Sequence, residues 1–131
     1  MSYLLDTCAW KSLFLRTPLA PRARVLADPA TPLHLLDVSF LEIAKAVESG
    51  TLELNRPLRQ WLRDALAENV TVLPVSPEIA ALACELRTKE GFPHKDPFDQ
   101  LICACARVQG LTLVTRDGLI IKWGGVPTLV Y

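Results

Sequence analysis

The chain has 131 residues, half of them apolar, which is enough for one domain with its own core and argues against disorder. Fourteen Lys and Arg balance fourteen Asp and Glu, so bulk charge gives no argument for nucleic-acid binding, although a local patch can be basic on a neutral chain. No apolar run is long enough to span a bilayer, and the opening lacks a basic region followed by a long apolar run, so neither a membrane span nor a signal peptide is expected.

In chain order, Tyr3-Leu4-Leu5 is a short apolar run, too short for a helix, and fits a buried strand of a parallel sheet. It ends at Asp6-Thr7, and Cys8 to Leu15 reads as a helix. Asp6 therefore stands at the carboxyl end of a strand, where ligands bind in open α/β sheets. It can equally cap the helix. Thr17 to Pro32 holds four prolines, with a short helix fitting between them from about Arg22 to Ala27. Leu33 to Leu36 is a second strand with Asp37 near its end, and His34 reads as a strand histidine.

Ser39 to Ser49 is a helix with Phe40, Ile43, Ala44 and Val47 as its apolar stripe and Gly50 as its stop. Ser39 and Glu42 match a capping box, which would account for Glu42 by itself. The same position also lies on the ligand side of the sheet. Asn55 to Glu68 reads as a long helix, and Thr71 to Leu73 as a strand stopped by Pro74. Ser76-Pro77 opens another helix with Ser76 as cap. Thr88 to Pro93 is a loop that leads to His94-Lys95-Asp96-Pro97-Phe98-Asp99.

There Asp96 fits an N-cap and Pro97 the first helical position. Asp99 lies in the first turn, favoured by the helix dipole. Ile102 and Ala106 follow at helical spacing, so the face of Asp99 points partly inward, and a carboxylate there needs a partner or a metal. This helix ends near Gln109-Gly110. Leu111 to Val114 is a strand with Thr115-Arg116-Asp117-Gly118 at its carboxyl end. A short helix or turn follows through Trp123, and Thr128 to Val130 makes a last strand. Strands alternate with helices throughout, which predicts a three-layer α/β/α sandwich around a mostly parallel sheet, one domain over 1–131.

The four cysteines, Cys8, Cys84, Cys103 and Cys105, form no Cys-x-x-Cys, and His34 and His94 are not spaced like zinc ligands. They read as small buried thiols of a reducing cytoplasm.

Parallel strands put their carboxyl ends on one edge, so Asp6, Glu42, Asp99 and Asp117 can converge although they are far apart in sequence. Four carboxylates in one cleft repel one another and raise a pKa unless a cation is present. A hard divalent ion such as Mg²⁺ takes oxygen ligands. It activates water and steadies charge on a phosphate, so phosphodiester hydrolysis is the natural chemistry.

Leu4-Leu5-Asp6-Thr7, Glu42-Ile43-Ala44-Lys45, Asp96-Pro97-Phe98-Asp99 and Leu113-Val114-Thr115-Arg116-Asp117 together resemble the PIN-domain ribonucleases, and within them the VapC-type toxins of bacterial toxin–antitoxin pairs. The resemblance covers nearly the whole chain in the family's order. It implies a PIN-like α/β/α fold and an endoribonuclease dependent on Mg²⁺ or Mn²⁺. Asp6, Glu42, Asp99 and Asp117 would be its catalytic and metal-binding quartet. It places Asp96 beside the quartet, either as a further ligand or only as a helix cap, and makes Thr7 and Thr115 supporting hydroxyls. It also implies an RNA substrate, a cognate antitoxin and a homodimer. Two positions depart from the pattern. Gln100 stands where relatives often carry Arg, and Gly118 where a further polar or acidic residue often stands.

Lys11, Lys45, Lys95, Arg116 and Lys122 lie near the proposed site in the chain and could hold phosphates; each could equally be an ordinary solvated cation. Other classes fit less well. A haloacid-dehalogenase-like phosphatase needs a second Asp where Cys8 stands, and a response-regulator receiver needs an acidic pair at the first strand end. The remaining alternative is a PIN-fold binding module that acts through a partner protein without catalysis.

Overall fold

The computed structural model describes all residues from Met1 to Tyr131. Five parallel strands form one sheet in the order β3-β2-β1-β4-β5: β1 is Tyr3–Leu5, β2 Leu33–Leu36, β3 Val70–Leu73, β4 Thr112–Val114 and β5 Thr128–Leu129. Six α-helices connect them: α1 Thr7–Phe14, α2 Val38–Glu48, α3 Leu58–Asp64, α4 Pro77–Lys89, α5 Pro97–Gln109 and α6 Gly118–Trp123. A 3₁₀ segment, Pro21–Ala27, lies between the prolines of the first crossover.

The strand alternation sorts the apolar residues into two cores, one on each face. Tyr3, Leu5, Leu33, Leu35 and Val114 pack with Trp10, Ile43 and Trp61. Leu4, Leu36 and Leu113 pack with Ile79, Leu86, Phe92, Ile102 and Ile120. Burial on both faces is why these short strands read as unbroken apolar runs. The first core is aromatic at its centre. Trp10 meets Trp61 edge to face at 5.3 Å and Phe40 at 5.7 Å, and its indole N–H donates to the Ala65 carbonyl at 2.8 Å.

Two expected elements differ. The helix expected over Asn55 to Glu68 is only α3. Pro57 sets its start, and the chain leaves the helix at Ala65, whose carbonyl is taken by Trp10. The capping box at Ser39 does not form. Asp37 N–H is drawn into the sheet by the Leu73 carbonyl at 2.9 Å, and α2 starts at Val38. Ser39 is thereby inside the first turn and fully buried.

The sheet order positions the site. β1 is the central strand, with β2 on one side and β4 on the other. The direction of winding reverses between β1 and β4, and the crevice at such a reversal, outside the carboxyl ends of the strands, is where α/β sheets bind ligands.

Candidate active site

Asp6 follows β1 directly. Its N–H donates to the Val114 carbonyl at 3.1 Å, and its Oδ1 accepts from Ala9 N–H at 2.7 Å, so it is the N-cap of α1. Asp117 closes the loop after β4 in the same way. Its Oδ1 accepts from the N–H groups of Leu119 and Ile120 at 3.0 and 3.1 Å, capping α6. Asp99 comes from the first turn of α5, after Asp96, which caps that helix by accepting from Phe98 N–H at 2.9 Å. The choice between cap and ligand is therefore no choice for Asp6 and Asp117. Capping engages one carboxylate oxygen and leaves the other directed elsewhere.

Asp6, Asp99 and Asp117 line one cavity of about 290 Å³ over the β1/β4 crevice, walled by Cys8, Ile102, Cys103, Leu113, Ile120 and Tyr131. Glu42 does not line it. Its charge still reaches Asp6 and Asp99, and it is held by the Thr7 hydroxyl, which donates to Oε1 at 2.5 Å and also meets the Ser39 hydroxyl at 2.8 Å. Thr7 thus holds Glu42 in place. Buried Thr115 accepts from Asp117 N–H at 3.1 Å, and its hydroxyl also steadies the ionised Asp6. Asp96 is exposed and engaged with its own helix.

The electrostatics are those of a crowded acidic site. Asp99 is raised from the ordinary 3.8 to about 6, first by burial, then by the like charges of Asp96 and Glu42. Burial raises Asp6 as well, against the hydrogen bonds from Thr115 and Ala9, and the charge of Asp117 adds to it. Glu42 is raised by burial, with Thr7 opposing and Asp96 and Asp6 adding.

The spacing of His34 and His94 argues only against a zinc pair; the structure places His94 against Asp117, beside the cavity and not in its lining. Its Nε2 lies 2.7 Å from Asp117 Oδ2, and one donor atom each of His94, Asp99 and Asp117 fall within 4.8 Å of one another. Nothing in the spacing of the two histidines pointed to it, because its position depends on the loop between α4 and α5. The available signal was its place two residues before the Asp96-Pro97 cap.

Of the five cations considered, only Arg116 lines the cavity, and its guanidinium is fixed by the Tyr131 carbonyl, the Pro18 carbonyl at 3.4 Å and the Tyr131 ring. Lys45 pairs with Glu48 instead. All four thiols are free. Cys103 and Cys105 are buried as expected, but Cys8 and Cys84 are exposed. No helix is long and apolar enough to cross a membrane.

A parallel five-stranded sheet with an acidic cavity at its winding reversal defines an α/β protein with a candidate cation site, and comparison narrows this to a family. The PIN domain family model matches residues 3–122, and the chain belongs to that family. It is 37% identical over 90 residues to Ribonuclease VapC22 of Mycobacterium tuberculosis, an alignment spanning 69% of this chain and 66% of that protein's length. Among solved structures, it is similar to a chain of VapBC2 from Rickettsia felis bound to a promoter DNA fragment (TM-score 0.75, 16% identity, 100% of this chain and 99% of that one). A chain of DNA-bound VapBC from Salmonella typhimurium is also similar (TM-score 0.71, 18% identity, 99% and 98%). At these identities the structural likeness speaks for the fold.

Proposed function

We propose that this chain is a divalent-metal-dependent endoribonuclease of the VapC type, the toxin of a bacterial toxin–antitoxin pair, acting as one unit over 1–131. The observation that carries this reading is the convergence of Asp6, Asp99 and Asp117 on one cavity, with Glu42 near enough for its charge to raise Asp99. The donor set suits a hard cation. It is rich in carboxylate oxygen, and the raised Asp99, Asp6 and Glu42 carry like-charge and burial costs that a cation relieves.

Asp6, Asp99 and Asp117 would hold Mg²⁺ or Mn²⁺, with Glu42 completing the acidic quartet. Asp96 serves as helix cap. When bound, the ion lowers the pKa of water and offsets charge growing on a phosphate. Thr7 fixes the direction of Glu42, and Thr115 keeps Asp6 and the Asp117 backbone in register. Arg116 contributes the positive charge on the cavity wall. With its guanidinium held by two carbonyls, it acts through charge more than through free donors. RNA is the substrate, and its loops and single strands offer the unstacked backbone that such a cleft can take. The partner is a cognate antitoxin, and the free thiols suit a reducing cytoplasm.

Single-turnover cleavage of a structured RNA in Mn²⁺, with a chelator control, tests the reading. Asp99→Asn is expected to abolish cleavage, while Asp96→Asn retains much of it. Parent-like cleavage by Asp99→Asn, or cleavage unaffected by chelation, would overturn it. Co-purification from the native operon tests the antitoxin; a toxin isolated without any bound small protein would count against that partner.

A further inference from the structure

His94 does more in the structure than a capping or loop role requires. Its ring sits edge to face on fully buried Phe92 at 5.9 Å, and Phe92 in turn meets Trp123 at 4.9 Å. Its backbone carbonyl accepts from Gln100 Nε2 at 3.1 Å, which ties the loop to the first turn of α5, the turn that carries Asp99. Ring and backbone are both anchored, and the anchoring aims Nε2 at Asp117 Oδ2, 2.7 Å away. The donor atoms of His94, Asp99 and Asp117 lie within 4.8 Å of one another. Donors side by side on one octahedral ion stand about 3 Å apart, and opposite donors about 4 Å, given bonds of about 2.1 Å. To share an ion, the His94–Asp117 pair at 2.7 Å opens slightly and any separation near 4.8 Å closes slightly.

We propose that His94 Nε2 is a direct nitrogen ligand at this site, making it a mixed nitrogen–oxygen centre selective for transition-metal ions over Mg²⁺. This rests on the reading of the cavity as a divalent-metal site. Carboxylates alone suit Mg²⁺ and Mn²⁺, whereas an imidazole adds affinity for later first-row ions, in rising order from Mn²⁺ to Co²⁺ and Ni²⁺. The ring would ligate through Nε2, with its hydrogen on Nδ1.

Calorimetric titration of chelator-treated protein with Mg²⁺, Mn²⁺ and Co²⁺ tests this, together with pulsed EPR of the Mn²⁺ form. The parent is expected to bind Co²⁺ most tightly and to show nitrogen modulation from a coordinated imidazole. His94→Asn is expected to lose at least the roughly tenfold in Co²⁺ affinity that removing even an outer-shell partner costs, while its Mg²⁺ affinity changes by less than about twofold. Equal losses for Co²⁺ and Mg²⁺ would mean that His94 only positions Asp117, and would overturn the proposal. So would Mn²⁺ binding by the parent without nitrogen modulation, a measurement that needs no variant; the metal-site reading would survive both results. A parent that binds none of the three ions, behaving like Asp99→Asn, would overturn both.

Discussion

At the scale of single residues, the two carboxylates that begin α5 have different duties. Asp99 is raised to about 6, against 3.8 in the unfolded chain. The folded protein therefore holds that proton more tightly between these values. Its contribution to stability is full below about pH 4 and is lost as the pH rises through about 6. The displacement alone corresponds to about 3 kcal/mol, and partial exposure to solvent cuts this to about 1–2 kcal/mol. In metal-free buffer at pH 7, Asp99→Asn is expected to melt higher than the parent, with the difference closing toward pH 4. A variant that melts lower at pH 7 would contradict the like-charge account. Asp96 caps the helix, so Asp96→Asn should leave the melting curve nearly unchanged, and Asp96→Ala should cost about 1 kcal/mol. The carboxylates themselves were legible in the sequence because strand ends and helix caps are local signals. Their second oxygens were not, since where Oδ2 of Asp117 points depends on His94, far away in the chain.

At the scale of elements, local signals succeeded where the chain's own neighbours decide. Ser76-Pro77, Asp96-Pro97 and Gly110 bound their helices as read, and Gly110 takes the left-handed conformation at φ 65° that closes α5. They failed where a distant group intervenes. The Leu73 carbonyl moved the start of α2 and turned Ser39 inward, so that Glu42 is held by Thr7 and not by its own helix. The Trp10 indole ended α3 early. A further long-range contact sits beneath the His94 loop. A Cβ on Gly125 would lie 2.2 Å from the Trp123 ring, and that ring is fixed by its N–H donating to the Glu90 carbonyl at 2.9 Å and by Phe92. Gly125→Ala is expected to destabilise the protein by about 1–3 kcal/mol through this overlap. Denaturant titration would measure the loss, and hydrogen exchange should show faster exchange over residues 90–95. An unchanged midpoint would show that the ring can move aside.

At the scale of the whole molecule, zero net charge leaves little long-range repulsion between copies. The 3₁₀ segment and α2 each expose one large apolar side chain, Val25 at 42% and Leu41 at 52%. We expect a homodimer in light scattering at tens of micromolar, reduced to monomer by Leu41→Asp or Val25→Asp without a change in melting; a strictly monomeric parent would remove the dimer. The sheet order carries a different consequence, for the time at which the cavity comes into being. β1 leaves the ribosome first and β2 can pair with it early, but β4, its other neighbour, follows α4 and α5. A nascent chain that has emerged as far as α5 already holds Asp6, Glu42 and Asp99, yet lacks the strand that brings Asp117 to face them. Long-range parallel pairing of this kind forms slowly, after the loops it closes. A nascent chain thus carries an unfinished cleft until β4 can pair, and the complete acidic site arises only after Asp117 has cleared the exit tunnel.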